Sequence, residues 1–482
     1  MSAAGPLAVV GDALLDCDID GQVVRLCPDA PAPVLENLVP AWRPGGAALA
    51  ALLAAGEDIP VVLVAPLGDD EASATVRALL EPHVTVISLP LTGPLAEKTR
   101  FRTGARTLLR TDRGDGRAGP VSGADGARAA EAIAAAGAVL VADYGRGATA
   151  DEYLRSVLAR QAARVALVWD PHPKGADPVP HTRLATPNHA EAVGAAGALA
   201  GPAASEGSGG QRLRSATAAG RQLARRWQAD WVAVTLSEGG AVLVQGDSGP
   251  LVVPARPLAV TDTCGAGDRF AVAAAAALGR GALPSEAVTA ATEAATSYLA
   301  AGGAARYTAP SRTAAATVPR PVTALAADRS QSAEAAELAR RVRAAGGTVV
   351  AAGGCFDLLH AGHISLLQAA HALGDCLIVC LNSDASVRRL KGAGRPLNRE
   401  ADRIALLSAL DCVDAVTVFV EDTPCAVLDR IRPDIWVKGG DYDGRDLPEA
   451  DLLENWGGTA VTVPYLSGRS TTRLQAALAD GL

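Results

Sequence analysis

One short segment of the chain carries the residues that phosphate chemistry needs. Residues 262–268 read Asp-Thr-Cys-Gly-Ala-Gly-Asp, and an Ala-rich helical pattern follows directly. Backbone N–H groups at a glycine-rich helix start are unpaired, and together with the helix dipole they attract an anion. A carboxylate at the same place can accept the proton of a hydroxyl that attacks a bound phosphate. The segment therefore predicts phosphoryl transfer with Asp268 as the base, although in a shorter motif Asp268 would be interpreted as a helix cap. The anion hole would be the backbone of Gly265, Ala266 and Gly267.

Two histidines form a second candidate site. His360 and His363 follow an apolar strand pattern at Val349–Ala352 and a pair of glycines. Histidines three residues apart at a helix start lie on one face, beside unpaired backbone donors. Such donors stabilise the negative charge that builds on the α-phosphate and on the leaving pyrophosphate during nucleotidyl transfer. Zinc is the alternative partner of two histidines, but no third or fourth ligand stands at metal spacing, so no zinc is expected.

Short apolar runs with the composition of buried strands recur along the chain. Each is followed by a Gly-rich turn and an Ala/Leu helical pattern. Strands that alternate with helices form parallel sheets covered on both faces, so the predicted fold class is α/β. The predicted strands are Leu7–Val10, Val61–Val64, Val139–Val141, Ala166–Trp169, Trp231–Leu236, Val349–Ala352, Leu377–Leu381 and Ile435–Val437.

Composition limits the class of protein. The 482 residues are too many for one compact domain, and 49% hydrophobic with 20% charged residues is globular content. The formal net charge of −8 creates no global positive field for nucleic acid or an anionic membrane. The start of the chain lacks a basic segment followed by a long apolar one, and the eight cysteines form no CxxC pair. We expect a cytoplasmic protein without nucleic-acid or membrane partners, and the sequence leaves a homo-oligomer open.

The chain divides into two different modules around a linker. Between about residues 309 and 332, Pro, Thr, Ser and Arg occur without apolar periodicity, which is typical of a linker, and a helical pattern follows at 333–345. No repeat of fixed period is present. The predicted parts are therefore a first domain at 1–312, a linker and connecting helix at 313–345, and a second domain at 346–482.

The first module resembles the ribokinase-like (PfkB) sugar kinases. The segment around Asp268 matches the signature of that family, and further family elements follow in the right order over most of residues 1–310. The resemblance implies a doubly wound α/β domain that phosphorylates a sugar hydroxyl. It further implies that Asp12 contacts sugar hydroxyls and that the pair Gly45 and Gly46 lets the sugar approach the backbone. Taken singly, Asp12 as a turn former is an equally good interpretation.

The same resemblance assigns the nucleotide side of the kinase. It implies ATP as the phosphate donor and Mg²⁺ organised by Asn188 and Glu191, which form an NxxE element. Ser237 and Gly239 lie in a strand-and-turn segment that resembles the family's nucleotide-binding turn. The alternative for Asn188 is a simple helix cap.

Within that family the chain resembles the heptose 7-phosphate kinase branch. The resemblance rests on Gly11–Asp16, Ala30–Val34 and Lys98–Arg100. Lys98 and Arg100 alternate on one face of a predicted strand, where they could hold a substrate phosphate. A solvated basic face explains the same pattern equally well.

Two departures from the heptose branch leave the sugar open. Leu49 stands where that branch usually has Asn, and the turn at residues 170–175 is longer than the family's DPKG turn. A PfkB kinase for another sugar or polyol, fused to a cytidylyl- or guanylyltransferase, is therefore the alternative. A non-catalytic nucleotide-sensing scaffold predicts damaged catalytic positions, and Asp268, His360 and His363 are all present.

The second module resembles the HxGH nucleotidyltransferases, in particular their sugar-phosphate branch. Matching elements follow in order over residues 346–475. The resemblance implies a smaller Rossmann-like domain in which His360 and His363 stabilise the transition state at the α-phosphate. The residues that it implies for nucleotide binding are Phe356, Lys391, Lys438, Ser470, Thr471 and Thr472.

The order of the two modules resembles the bifunctional heptose kinase/adenylyltransferases, from about residue 7 to residue 475. That resemblance implies two reactions with ATP. The first phosphorylates D-glycero-β-D-manno-heptose 7-phosphate at C1. The second adenylylates D-glycero-β-D-manno-heptose 1-phosphate to ADP-heptose and releases pyrophosphate. A separate phosphatase acts between the two steps, so direct channelling is not implied.

Overall fold

The computed structural model of the chain contains two compact units. It describes residues 5–27, 32–57, 59–104, 106–197, 209–246, 248–260, 262–307, 333–392, 394–440 and 449–464. The first unit consists of the described parts of Met1–Gly197, Gln222–Glu238 and Ala255–Thr317. The second consists of the described parts of Ala198–Arg221, Gly239–Pro254 and Val318–Leu482.

Strands β1 to β13 and helices α1 to α8 lie before residue 301. The strands are β1 Leu7–Gly11, β2 Ala13–Leu26, β3 Pro33–Gly46, β4 Val61–Pro66, β5 Thr85–Leu89, β6 Leu91–Thr92, β7 Glu97–Thr103, β8 Arg106–Arg113, β9 Arg117–Ala118, β10 Ala138–Ala142, β11 Ala166–Asp170, β12 Leu184–Ala185 and β13 Val232–Thr235. The helices are α1 Ala47–Ala55, α2 Glu71–Leu80, α3 Gly123–Ala135, α4 Glu152–Ala162, α5 His189–Ala196, α6 Gly209–Trp227, α7 Ala266–Gly279 and α8 Pro284–Ala300.

The main sheet of the first unit is parallel and runs β13-β12-β11-β10-β1-β4-β5. Alternate residues of β1 face opposite sides of the sheet. Ala8 and Val10 pack with α3 and α4, while Leu7 and Val9 are equally buried and α1 and α7 also contact β1. Helices therefore cover both faces, as a doubly wound sheet requires. The strand order reverses between β1 and β10, and ligands of such sheets bind at the carboxyl ends of the strands at this point.

A smaller sheet in the first unit runs β3-β2-β7-β8. Strands β2 and β3 form a long antiparallel hairpin, and β7 lies parallel to β2. The register of β2 and β7 pairs Asp16 with Lys98 and Asp18 with Arg100. Acidic residues of one strand therefore lie beside basic residues of the next.

The second unit contains a mostly parallel sheet in the order β18-β17-β16-β19-β20-β15-β14, in which only β14 runs antiparallel to its neighbour among the described strands. Its strands are β14 Ala241–Val244, β15 Leu251–Val253, β16 Val349–Gly354, β17 Cys376–Asn382, β18 Ala415–Phe419, β19 Ile435–Gly439 and β20 Thr459–Val463. The helices after residue 330 are α9 Ala333–Ala344, α10 Ala361–His371, α11 Asp384–Lys391, α12 Glu400–Ser408, α13 Cys425–Ile431 and α14 Ala450–Glu454. The order reverses between β16 and β19, which places a second ligand-binding position at their carboxyl ends.

All eight predicted strands are present within one or two residues of their predicted bounds, and the predicted helix at 333–345 is α9. Most of the predicted linker lies outside the described residues. The second unit includes the described parts of 198–221 and 239–254, which the sequence placed in the first domain. The exact domain bounds therefore stay a prediction.

Among the described helices, we find none whose length and apolar character would let it cross a bilayer.

Candidate active sites

The turn before α7 forms the predicted glycine cradle. Gly265 is the N-cap of α7 with a left-handed φ of 79°, and a side chain there would overlap the Tyr298 hydroxyl. The Tyr298 hydroxyl donates a hydrogen bond to the carbonyl oxygen of Cys264 at 3.1 Å. Only glycine suits this position, since it needs both a positive φ and a close contact. The turn places the start of α7 next to Asp268, which lies in the first helical turn, and the Ala266 N–H donates to the Thr263 carbonyl oxygen at 3.2 Å.

Asp268 is 7% exposed and accepts a hydrogen bond from the Tyr144 hydroxyl at 2.7 Å. Burial raises the pKa of Asp268 to about 6, and the Tyr144 hydrogen bond opposes that rise. The pKa of the Tyr144 phenol is raised well above its usual value by burial and by the charge of Asp268, so Tyr144 stays protonated as the donor. A carboxyl group with a pKa near 6 is ionised at neutral pH and is a stronger base than an exposed aspartate.

Asp12 lies at the carboxyl end of β1 and is 1% exposed. It accepts hydrogen bonds from three backbone N–H groups of the loop after β10, those of Tyr144, Arg146 and Ala148, at 2.8–3.1 Å. The carboxylate therefore holds this loop against the end of β1. Contact between Asp12 and a sugar hydroxyl stays a prediction.

The glycine pair Gly45 and Gly46 ends β3 beside the first part of β2. Gly46 has a φ of 60°, and a Cβ there would lie 2.6 Å from the Asp12 carbonyl oxygen. A Cβ on Gly45 would lie 3.1 Å from the Asp16 carboxyl carbon. The pair thus brings two strands close together next to Asp12. Leu49, in α1, is buried against the Gly265 turn, so this departure from the heptose branch serves packing.

A basic cavity of about 280 Å³ lies beside Tyr144. The Lys98 ammonium lies 5.4 Å from the centre of the Tyr144 ring. Since Tyr144 also bonds to Asp268, the ring joins the cavity to the predicted base. The cavity is lined by Leu14, Lys98, Arg110, Asp112, Arg117, Tyr144, Gly145, Arg146, His172 and Lys174.

Arg100 has different surroundings from Lys98, although both lie on one face of β7. Its guanidinium lies 3.7 Å from carboxylate oxygens of Asp16 and Asp18, and Arg100 does not line the cavity. The fully buried Arg43 donates to Asp18 at 2.5 Å in the same cluster. The structure therefore places Lys98 at a candidate phosphate site and Arg100 in a buried ion-pair cluster.

Asn188 and Glu191 form a capping box at the start of α5. The Asn188 side chain accepts from the Glu191 N–H at 3.0 Å, and the Glu191 side chain accepts from the Asn188 N–H at 2.9 Å. The interpretation of Asn188 as a helix cap is therefore confirmed. The capping bond uses one oxygen of Glu191, so a role for this carboxylate at a magnesium ion stays a prediction. Ser237 and Gly239 form a 3₁₀ turn directly after β13, with a φ of 56° at Ser237.

The carboxyl groups near α5 suit a divalent cation. Burial and the neighbouring charges of Asp268 and Glu191 raise the pKa of Asp170, at the end of β11, well above its usual value, and burial also raises the pKa of Glu191. A nearby cation would favour the ionised form of both groups. No three acidic, His or Cys side chains of the described ranges cluster closely enough to cage an ion. Mg²⁺ needs no such cage, because it keeps several waters and binds one or two carboxylates plus substrate phosphates.

The second unit brings the two predicted histidines together at the start of α10. The rings of His360 and His363 are stacked with their centroids 3.9 Å apart, and Phe356 lies 5.3 Å from His363. Nδ1 of His360 accepts from the Gly362 N–H at 3.1 Å, so its neutral ring carries the proton on Nε2. Burial and the charges of His360 and Lys391 lower the pKa of His363 to about 4. His363 is therefore neutral at physiological pH.

A cavity of about 270 Å³ lies between the carboxyl ends of β16 and β19. It is lined by Gly353, Gly354, Cys355, Phe356, Asp357, His363, Leu366, Lys391, Lys438 and Gly439. Four predicted site residues therefore share one cavity at the point where the strand order reverses. The Lys438 ammonium also bonds to both carboxylate oxygens of the buried Glu449, at 2.7 and 2.8 Å. The predicted triphosphate residues Ser470, Thr471 and Thr472 lie outside the described residues.

Comparisons with known proteins follow the same division. The model of the pfkB family carbohydrate kinases matches residues 7–311, and the model described as Cytidylyltransferase-like matches residues 351–458. The "Bifunctional protein HldE" of Streptomyces coelicolor is 54% identical over 476 residues, covering 99% of this chain and 97% of that protein. The chain belongs to the HldE family. A protein of the same name from Azorhizobium caulinodans is 36% identical over 480 residues and 98% of each chain. A solved ribokinase from Arabidopsis thaliana, complexed with ribose and ATP, aligns with 63% of this chain and 96% of its own, at 21% identity and a TM-score of 0.47.

Membership of the HldE family confirms the main sequence predictions. The fold class is α/β, with a ribokinase-like part followed by a Rossmann-like nucleotidyltransferase part. The chain is a bifunctional sugar kinase and nucleotidyltransferase, and the predicted heptose kinase/adenylyltransferase function is confirmed at the level of the family. The roles of individual residues stay predictions.

Three residues that lie in or next to the two candidate sites of this HldE-family chain were not predicted from the sequence. Tyr144 bonds to Asp268 over 124 positions of sequence, and no local pattern marks it. Asp357 accepts from the backbone N–H of Leu397 and from the Arg395 side chain, which ties the segment after α11 to the turn before His360. The buried Arg403 donates to the carbonyl oxygens of Cys355 and Asn382 and to Asp384. No local pattern marks Arg403, because it follows Glu400 and Asp402 at the charged start of α12.

Proposed function

We propose that this chain phosphorylates D-glycero-β-D-manno-heptose 7-phosphate at C1 and adenylylates D-glycero-β-D-manno-heptose 1-phosphate, with ATP in both reactions. The basic cavity beside Tyr144, the hydrogen-bond partner of Asp268, carries the first half of this proposal. Its lining holds five lysine and arginine side chains, and a single carboxylate, Asp112, faces them. A neutral sugar needs few cations, whereas a phosphate on the sugar suits guanidinium and ammonium donors.

In the kinase reaction, the sugar hydroxyl at C1 attacks the γ-phosphorus of ATP. Asp268 accepts the hydroxyl proton, the bond between the γ-phosphorus and the bridging oxygen breaks, and ADP leaves. The N–H groups of Gly265, Ala266 and Gly267 stabilise the charge that develops on the phosphoryl oxygens, and for this the Ala266 N–H exchanges its bond to the Thr263 carbonyl oxygen for one to the phosphoryl group. Tyr144 holds the Asp268 carboxylate by its 2.7 Å hydrogen bond.

Mg²⁺ fits the acidic side of this site. Asn188 and Glu191, with Asp170 beside them, would hold the ion directly or through water. When bound, Mg²⁺ neutralises negative charge on the β- and γ-phosphates. We place the 7-phosphate of the sugar in the basic cavity, against Lys98 and its cationic neighbours.

In the transferase reaction, a phosphate oxygen of the heptose 1-phosphate attacks the α-phosphorus of ATP. The bond from the α-phosphorus to the bridging oxygen breaks, and pyrophosphate leaves. His360 and His363 stabilise the charge that develops at the α-phosphate, since protein groups need only stabilise charge here. Lys391 and Lys438 neutralise phosphate charge in the same cavity. Because both reactions use ATP and sugar phosphates, we also propose that the enzyme works in the cytoplasm.

A substrate panel tests the proposal. We expect purified enzyme with ATP and Mg²⁺ to phosphorylate heptose 7-phosphate at a kcat/KM at least about 100-fold above ribose, fructose 6-phosphate or ribitol. Ribose and ribitol carry no phosphate for the basic cavity, and the phosphate of fructose 6-phosphate lies one carbon nearer to C1 than that of the heptose. Mass detection of the products measures this. Pyrophosphate release with heptose 1-phosphate and either ATP, CTP or GTP shows which nucleotide the transferase uses. Preference for another sugar, or for CTP or GTP, would favour the alternative kinase and transferase pair instead.

Removal of the hydrogen bond from Tyr144 to Asp268 should shift the pH dependence of the kinase. Asp268 must be ionised to act as a base, so kcat/KM should fall as the pH drops below about 6. The hydrogen bond favours the ionised form, so Tyr144→Phe should raise the pKa of Asp268 and move this acidic limb to higher pH. We expect activity at pH 6, relative to pH 9, to be about five-fold lower than in the wild type. Tyr153→Phe, an exposed tyrosine on α4, is the matched control. An unshifted limb in Tyr144→Phe would contradict the prediction.

A further inference from the structure

The turn after β11 forms one side of the basic cavity. Residues 170–175 read Asp-Pro-His-Pro-Lys-Gly, longer than the corresponding turn of the kinase family. The Gly175 N–H donates to the His172 carbonyl oxygen at 2.8 Å and closes the turn. His172 and Lys174 both line the basic cavity. The additional residues of this turn thus contribute directly to the proposed substrate site.

The ring of His172 is held in place by its neighbours. It stacks on Tyr144 with ring centroids 6.4 Å apart and an interplanar angle of 23°. Gly145 lies so close to the turn that an added Cβ would be 2.7 Å from the His172 Nδ1 atom and 2.8 Å from the Lys174 Cβ. The loop after β10 therefore fixes the imidazole against the residue that bonds to the catalytic base.

The hydrogen bonding of the turn fixes the tautomer of His172. The Lys174 N–H donates to Nδ1 at 3.2 Å, so Nδ1 carries no proton. In the neutral ring the proton is then on Nε2. Burial and the charges of Lys98 and Lys174 lower the pKa of His172, which favours the neutral form. Nε2–H is the donor that the ring has left for a ligand in the cavity.

We propose that His172 binds the phosphate group of the sugar substrate through its Nε2–H, and so contributes to the selection of a phosphorylated sugar. This inference rests on the proposed kinase function. A neutral donor suits a place already surrounded by Lys98, Arg146 and Lys174, because it adds a directed hydrogen bond without further repulsion between cations. The phosphate supplies acceptor oxygens, and charge-assisted bonds to them are strong.

Three substitutions separate donation from stacking. His172→Ala removes both, His172→Phe keeps the stack on Tyr144 without a donor, and His172→Gln keeps an N–H donor near the Nε2 position. We expect KM for heptose 7-phosphate to rise about 10-fold in the Ala and Phe variants, with kcat within about twofold of the wild type. KM should be largely restored in the Gln variant. KM for ATP and the pyrophosphate release of the transferase should not change in any of them.

The controls distinguish this inference from the function on which it rests. His83→Ala changes an exposed histidine of the same unit and should leave every constant unchanged. Absence of heptose 7-phosphate turnover by the wild type would overturn the proposed function and, with it, the role of His172. Wild-type turnover together with an unchanged KM in His172→Phe would overturn the role of His172 alone, since stacking would then suffice.

Discussion

Asp268→Asn should lower the kinase rate about 1,000-fold and leave the transferase rate unchanged. The amide of asparagine has the shape of the carboxyl group but does not accept the proton of the attacking hydroxyl. Its oxygen can still accept the hydrogen bond that the Tyr144 hydroxyl donates to Asp268 at 2.7 Å. The substitution thus removes the base with little change in packing. ADP release with heptose 7-phosphate and pyrophosphate release with heptose 1-phosphate, measured on one preparation, give both rates.

The stability of this variant is part of the test. Because the pKa of Asp268 is raised to about 6, ionisation of Asp268 destabilises the folded state relative to the unfolded chain. This destabilisation is fully present above about pH 6. Asn carries no charge, so we expect an unchanged or slightly higher Tm at pH 8. Asp125→Asn changes a partly exposed aspartate in the first turn of α3 that pairs with Arg128; it is the matched control and should retain both activities. Full kinase activity in Asp268→Asn would exclude Asp268 as the base.

The sequence allowed prediction of those strands that are buried on both faces. Strands such as β1 and β10 are continuous apolar runs, because helices cover the sheet on both sides. The hairpin of β2 and β3 was missed for the opposite reason. Much of its length is exposed, and apolar, acidic and basic residues alternate irregularly along it. A half-exposed ribbon is under weaker pressure for an apolar pattern, so its pairing has no clear local signal.

Side-chain partners were harder to predict than strand positions. Lys98 and Arg100 were correctly placed on one face of a strand, yet their surroundings differ. The register with β2 sets Asp18 beside Arg100, where Arg43 completes a buried ion-pair cluster. Lys98 instead reaches the cavity beside Tyr144. This choice depends on a neighbouring strand about 80 residues away in sequence, whereas the glycines and Asp268 are contiguous and could be recognised together.

In the second unit, the side-chain partner of Lys438 was likewise not predicted from the sequence. The sequence predicted a phosphate-binding lysine, and Lys438 does line the cavity with His363 and Lys391. Its ammonium is also paired with the buried Glu449, which comes from a separate segment. Part of its positive charge is therefore neutralised within the protein. Lys391 has no such partner among the described acidic side chains that form ion pairs, and we infer that it supplies more of the field felt by the triphosphate.

His363→Ala should lower the transferase rate about 100-fold to 1,000-fold and leave the kinase rate unchanged. The imidazole of His363 lies in the cavity at the ends of β16 and β19, stacked on His360 at 3.9 Å. Since burial and its neighbours lower its pKa to about 4, the neutral ring acts as a donor across the physiological range. The transferase rate should therefore show no inflection from His363 between pH 6 and pH 8. Pyrophosphate release measured over this range checks both statements.

A matched control separates this role from packing. His371→Ala changes a half-buried histidine at the end of the same helix, which lies 3.5 Å from an oxygen of Asp414 and does not line the cavity, and should retain full transferase activity. His363→Asn offers an N–H donor in a smaller side chain, so we expect a rate between those of His363→Ala and the wild type. If the Ala and Asn variants lost activity equally while keeping the wild-type Tm, donation by His363 would not explain its effect. If His363→Ala also removed the kinase activity from a folded protein, the two sites would be coupled, because nothing in the chemistry of His363 bears on proton transfer to Asp268.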